Sequence, residues 1–254
     1  MPFRVVVAIF GCACLASADK GNANPNREIV KLPVADQAVE ILVAKNATEV
    51  GSKGSLSSHS QFLMQHNQWR SLLAKGQFQS ANQNRLPAHA NSLELKWDST
   101  LEKHAAAFAK KCLYAIDSKE LKQYEEGQNL GAFEWSNETQ AVTDAVNMWF
   151  KEYAVTPLQN ELVIDGPVIF TEKDVALLSL AAQADWAATR SLGCAVKQCS
   201  TGNPMGDDSK EWANVVCRYK PKGCVVGEPI FVAGPPGSQC PAGTAKQDDS
   251  GLCA

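Results

Sequence analysis

The placement of cysteine constrains this chain most. Nine cysteines occur; Cys12 and Cys14 stand apart, and the other seven are Cys112, Cys194, Cys199, Cys217, Cys224, Cys240 and Cys253. The early pair falls within Met1 to Ala18, MPFRVVVAIFGCACLASA, where one Arg precedes an apolar stretch from Val5 to Leu15 and the segment ends Ala16-Ser17-Ala18. That order reads as a cleaved secretion signal over residues 1–18. A membrane anchor is the rival, but the run is too short to span a bilayer with margin. Secretion places the seven later cysteines in an oxidising compartment, where most should pair. Seven is odd, so at least one stays a thiol or bonds another molecule. Zinc fits the set poorly, since no Cys-x2-Cys pair occurs and no histidine lies near it.

The 254 residues are 45% hydrophobic and 20% charged, enough for one medium domain with a real core. A net charge of −3 argues against a nucleic-acid partner. No uninterrupted apolar run long enough to cross a membrane follows residue 20. Residues 19–58 lack cysteine and aromatic side chains and end in a Gly- and Ser-rich stretch, read as a flexible extension. A short helix over Val39 to Val50 is compatible with it but not required. Two sequons, Asn46-Ala47-Thr48 and Asn137-Glu138-Thr139, are usable if the chain is secreted.

Helical spacing begins near residue 60. Phe62, His66, Trp69 and Leu73 share a stripe; Leu101, Ala105, Phe108, Ala109 and Cys112 share another, behind a capping box at Ser99-Thr100-Leu101-Glu102. Val142, Ala145, Val146, Trp149, Phe150 and Tyr153 make the clearest helix, and a fourth is read from about Lys173 to Ala188. The period then becomes two: Leu192, Cys194 and Val196, then Val215, Cys217 and Tyr219, with turn residues between them, predict an antiparallel hairpin. Helices first and strands later predict an α+β fold. The tail from Pro229 is rich in Gly and Pro and is expected to pack little.

Several segments, in order, resemble the CAP superfamily of cysteine-rich secretory, antigen 5 and pathogenesis-related proteins. They are His66-Asn67-Gln68-Trp69-Arg70; Leu95-Lys96-Trp97-Asp98 with Ala105, Ala109 and Cys112; Gly127-Gln128-Asn129-Leu130; Trp149 with Glu152; Gln183 and Trp186 before Gly193-Cys194; and Val216 to Gly223. The closing Ser250-Gly251-Leu252-Cys253 resembles the tails of nematode venom allergen-like secreted proteins. The resemblance covers about 60 to 227 and gives a CAP domain over 59–227 with a Cys-containing tail over 228–254. It implies a three-layer α-β-α sandwich around an antiparallel sheet, with disulfides Cys112–Cys199 and Cys194–Cys217. Cys240 and Cys253 then remain to pair within the tail. Cys224, where the family usually has Asn, is the candidate odd thiol.

The family's cleft commonly carries two His and two Glu that can hold a divalent metal. The corresponding positions here are Ile116, Gln128, Glu152 and Leu180, of which only Glu152 is a good ligand. No metal, cofactor or catalytic residue is therefore expected. The four histidines are His59, His66, His89 and His104, with none later in the chain. His66 and His104 fall in helix patterns and read as packed or surface residues; His59 and His89 fall in expected loops. Asp185 is read as a solvated side chain near a helix end, its rival role being a carboxylate pair with Glu152. Glu125-Glu126 reads as a solvated loop.

Three functions follow. The first is a secreted, extracellular, non-enzymatic protein that binds a lipid (fatty acid or sterol) or a host partner, the resemblance adding immune modulation. The absence of aromatic residues between Tyr153 and Phe170 weighs against sterol. The second is a metal-dependent hydrolase, opposed by the missing ligands. The third is an interaction module that dimerises or attaches through an exposed tail and Cys224.

Overall fold

The computed structural model describes residues 56–79, 85–156, 165–207 and 209–254. The expected signal segment, nearly all of the 19–58 extension, the helix read over 39–50 and the Asn46 sequon lie outside the described residues. In chain order the elements are α1 (Ser58–Ala74), β1 (Lys96–Trp97), α2 (Ser99–Ala109), α3 (Ser118–Tyr124), β2 (Gly127–Glu134), α4 (Glu138–Val155), β3 (Gly166–Ile169), a 3-10 turn (Asp174–Ala176), α5 (Ser179–Asp185), β4 (Ser191–Cys199), β5 (Trp212–Lys220) and β6 (Pro229–Ala233).

The central sheet runs β1-β4-β5-β2, with α2 packed on one face and α1, α4 and α5 on the other. This is a three-layer α-β-α sandwich. The hairpin pairs Cys194 with Cys217, and β2 adds antiparallel to β5 with Gln128 opposite Arg218. The sheet departs from pure antiparallel at one edge, where β1 runs parallel to β4. Every β5 residue except Lys220 is buried, because helices cover both faces.

The helices bury the stripes their spacing predicts. Phe62, His66, Trp69 and Leu73 of α1 face Val142, Val146, Trp149 and Phe150 of α4 in one cluster, with Trp69 stacked on Phe150 at 5.4 Å. The start of α2 differs from the expected capping box by one residue. Asp98 is the N-cap, accepting from Thr100 N and Leu101 N, while Glu102 accepts from the Trp97 indole N–H at 2.9 Å. The helix read over 173–188 is broken: Asp174 accepts from both the Thr171 amide (2.8 Å) and hydroxyl (2.7 Å), tightening a turn before α5 begins. His59 lies in the first turn of α1, stacked on Trp97 at 4.0 Å, and not in a loop.

The tail corrects a further expectation, for it packs closely. β6 pairs with β3, and Ile230, Phe231, Ala233, Leu252 and Cys253 are all buried. Cys253 N donates to Ser92 O at 2.8 Å, and Glu94 N donates to Cys253 O at 2.9 Å. Glycine and proline shape the turns here, but the apolar residues between them dock on residues 89–94. Disulfides join Cys112 to Cys199, Cys194 to Cys217 and Cys240 to Cys253. Among the described residues no helix is long and apolar enough to cross a membrane.

Candidate functional site

β2 is an edge strand, and the four positions singled out in the sequence surround it from separate elements. Gln128 sits on β2, Glu152 at the end of α4, Leu180 on α5 and Ile116 just before α3. Gln128 is fully buried; its Nε2 lies 3.4 Å from Ala115 O, and its Oε1 has no hydrogen-bond partner among the described residues. Ile116 is partly buried against Phe108, Leu130 and Val216 on the α2 side, whereas Leu180 joins the main core on the other side.

Glu152 is committed to another task. Its Oε2 accepts from Ala181 N at 2.8 Å, and the Leu180 amide also bonds the carboxylate. These are orphan donors of the first turn of α5, whose own N-cap residue, Leu178, has no side-chain acceptor. Glu152 supplies that acceptor from the neighbouring helix. Burial pushes its carboxyl up to about 8, with the two amides opposing. Nearby, burial and the Glu152 charge push the Tyr114 phenol up to about 12.

Asp185 ends the same helix and is fully buried, not solvated. Tyr153, the residue after Glu152, donates its hydroxyl to Asp185 Oδ2 at 3.3 Å. The two carboxylates therefore engage opposite ends of α5. Burial pushes Asp185 up to about 7, against the pull of Arg70 and Tyr153. Arg70 is also fully buried and donates to four backbone carbonyls. Nε and Nη2 reach Leu93 O at 3.0 and 2.6 Å, Nη1 reaches Ala184 O and Trp186 O at 3.0 and 3.1 Å, and Nη2 lies 3.4 Å from Ala187 O.

Against known proteins, the model of the cysteine-rich secretory protein family, CAP, matches residues 63–219. The chain belongs to the CAP family. Among relatives, peptidase inhibitor R3HDML of Mus musculus is 30% identical over 169 residues, 66% of this chain and 64% of that protein. The chain thus spans just under two thirds of that relative. Scoloptoxin SSD552 of Scolopendra dehaani is 30% identical over 191 residues, covering 74% of this chain and 80% of the toxin. Among solved structures, NaASP2 with Zn2+ aligns at TM-score 0.65 and 25% identity, covering 80% of this chain and 99% of NaASP2. BmVAL-1 aligns at TM-score 0.65 and 27% identity, covering 80% of this chain and 97% of BmVAL-1. The fold and the venom allergen-like resemblance both stand on these likenesses.

In this CAP domain the residues at the cleft positions do not fit a metal. Ile116 and Leu180 offer no lone pair, Gln128 is neutral, and Glu152 is bonded to backbone amides. Among the described residues, no group of three or more His, Cys, Asp or Glu side chains is placed to hold an ion.

The histidines are likewise built into the scaffold. His66 lies between Phe62 O at 2.8 Å and the Tyr219 hydroxyl at 2.9 Å, and burial lowers it to about 4. His89 is buried, stacked on Phe231 at 3.6 Å, with Nδ1 2.9 Å from Ser92 Oγ and 3.8 Å from Asp185 Oδ1. The trio has the residue types of a hydrolytic triad, but Ser92 and Asp185 approach the same ring nitrogen. A triad needs them on opposite nitrogens and needs the serine within reach of substrate; here all three side chains are fully enclosed. The expected solvated loop at Glu125-Glu126 holds only for Glu125. Glu126 is buried, with Oε1 2.7 Å from His104 Nδ1 and Oε2 3.5 Å from Arg218 Nη1. Sequence alone gives no signal for Glu126 or Asp185, because their partners lie far away in the chain.

Cys224, among the described residues the one cysteine outside the disulfides, is buried, with its Sγ 2.9 Å from Ser179 O. An interaction module built on an exposed tail and an accessible Cys224 is not the arrangement present.

Proposed function

We propose that this chain is a secreted, non-enzymatic CAP protein that works outside the cell by binding, with a lipid as its ligand. The observation that carries the reading is Glu152. The one good metal ligand among the four cleft positions is spent on capping α5. Ile116 and Leu180, packed in separate apolar clusters, offer no donor atom to a hydrated cation. Three disulfides suit an oxidising compartment. Asn137 suits a glycoprotein: it is exposed at the N-cap of α4, where its Oδ1 accepts from Gln140 N and leaves Nδ2 to carry a glycan. A host protein partner is the alternative, and relatives named as inhibitors and toxins are compatible with it.

The test is metal analysis together with native mass spectrometry and lipid extraction, on protein secreted from a eukaryotic host. The expected result is a co-purifying lipid and no stoichiometric zinc after incubation with zinc. One zinc per chain, lost in Glu152→Ala, would overturn the reading.

A further inference from the structure

α3 is loosely held. Among the described residues it packs extensively against no other helix or strand, and Leu121 is its one buried side chain. The segment that carries it is bracketed by two non-glycine residues in the left-handed region, Cys112 at φ 48° and Glu125 at φ 56°. Each is strained, because Cβ crowds the following carbonyl, and such residues collect at switch regions. Both ends are pinned to the domain. Cys112 is fixed by its disulfide to Cys199, and Glu126, just past the second bracket, is buried beside His104 and Arg218. Between the pins the polar ties are long. Asn214 Nδ2 reaches Leu113 O at 3.4 Å, Gln128 Nε2 reaches Ala115 O at 3.4 Å, and Arg218 Nη2 stands 3.6 Å from Glu120 Oε2. Lys111 Nζ lies 3.5 Å from Asp117 and 3.7 Å from Glu120, while Lys220 Nζ donates to Tyr124 O at 3.0 Å. The ion pairs are longer than a good charge-assisted hydrogen bond.

We propose that residues 113–124 form a lid over Arg218 and Gln128, hinged at Cys112 and Glu125 and latched by the Arg218–Glu120 ion pair. The lid opens while the sheet stays folded. Arg218 has its two carboxylates on opposite sides of the Glu125 hinge: Glu120 travels with the lid, and Glu126, 3.5 Å from Nη1, stays on the domain. The buried cation therefore keeps a counter-charge in the open state. Opening also brings solvent to Arg218 Nε and Gln128 Oε1, buried atoms that have no hydrogen-bond partner among the described residues. It relaxes both hinges. Against these gains stand the burial of Leu121 and the partial burial of Tyr114 and Ile116. Salt screens the latch, so opening increases with ionic strength.

Hydrogen–deuterium exchange with mass spectrometry on the full secreted chain tests this, with β5 peptides as the internal standard. The amides of 113–124 should exchange at least about tenfold faster than those of β5, since local opening needs less free energy than global unfolding. Raising NaCl from about 0.05 to about 0.5 M should widen that gap. Glu120→Gln removes the latch, and should speed exchange of the lid about two- to fivefold and blunt its salt response. Glu125→Gly removes strain that opening relieves, and should slow exchange of the lid about fivefold. Glu125 is exposed and Glu120 partly so, which keeps both changes out of the core. The whole of 113–124 should respond together; a response confined to 118–124 is fraying of α3 and would overturn the lid. Exchange of the segment at the β5 rate, or no change in either variant, would also overturn it, while leaving the lipid reading untouched.

Discussion

Replacing Glu152 by Gln should flatten the alkaline pH dependence of stability. The carboxyl sits at about 8 in the fold against an ordinary 4.5, because burial disfavours its charge. The native state therefore holds this proton more tightly than the unfolded chain does. The stabilisation is fully present below pH 4.5 and is lost as pH rises through about 8. Between pH 7 and 9 the unfolded chain is already ionised and the folded one is losing its proton. One decade of proton affinity is worth about 1.4 kcal/mol, and the partly exposed edge of Glu152 trims this to about 1 kcal/mol. That should lower the wild-type Tm by about 2–5 °C across the interval. Glutamine keeps an oxygen for Ala181 N but cannot ionise, so its Tm should fall less. Asp185 titrates nearer 7 with the same sign. The buried histidines act in the opposite sense, below 6.5. The pH 7–9 interval therefore isolates Glu152 best. Differential scanning calorimetry of both proteins at pH 7 and 9 is the assay. Parallel shifts in the two would refute the capping role and the raised proton affinity together.

Three further outcomes are expected. Cys217→Ser should cost about 2–5 kcal/mol, because it opens the disulfide to Cys194 in the buried hairpin, while Cys224→Ser keeps a donor for Ser179 O and should cost under about 1 kcal/mol; denaturant titration ranks them. Gly193→Ala should abolish secretion or strongly destabilise the chain, since a Cβ there would lie 2.6 Å from Leu101 Cβ and strike the backbone of α2, a contact that only backbone movement relieves; secretion yield and melting report it. Arg70→Met should lose more than about 3 kcal/mol by urea unfolding, because it leaves the carbonyls of Leu93, Ala184 and Trp186 buried without their donor.

What the sequence reveals follows from the range of each interaction. Phe62 to Leu73 and Val142 to Tyr153 announce their helices because one stripe on one helix decides burial. The Leu192 to Val196 and Val215 to Tyr219 alternation announces the hairpin for the same reason. The α2 cap is misplaced by one residue because Asp98 and Ser99 both suit an N-cap, and the contact between Trp97 and Glu102 breaks the tie. Asp185 reads as solvated because its neighbours Tyr153, His89 and Arg70 come from three distant segments. The tail is underestimated because its Gly and Pro content describes turns, while Ile230 and Phe231 find their burial only against residues far upstream. At the cleft, the loss of donor atoms at Ile116, Gln128 and Leu180 is legible from residue type alone. The capping duty of Glu152 is not, since it depends on Leu178 leaving the first turn of α5 without a cap.

The docking of Cys253 on residues 89–94 bears on how the chain matures during synthesis. Arg70 is anchored by Leu93 O, and the bridges from Cys253 to Ser92 and Glu94 fix that segment. A buried guanidinium laid down early thus has its surroundings completed only when residue 253 has emerged. During vectorial synthesis the nascent domain must carry this cation incompletely enclosed until then. Loss of the last few residues, by nonsense mutation or proteolysis before folding, should therefore be felt at Arg70, some 180 positions upstream, and not only at the C-terminal surface.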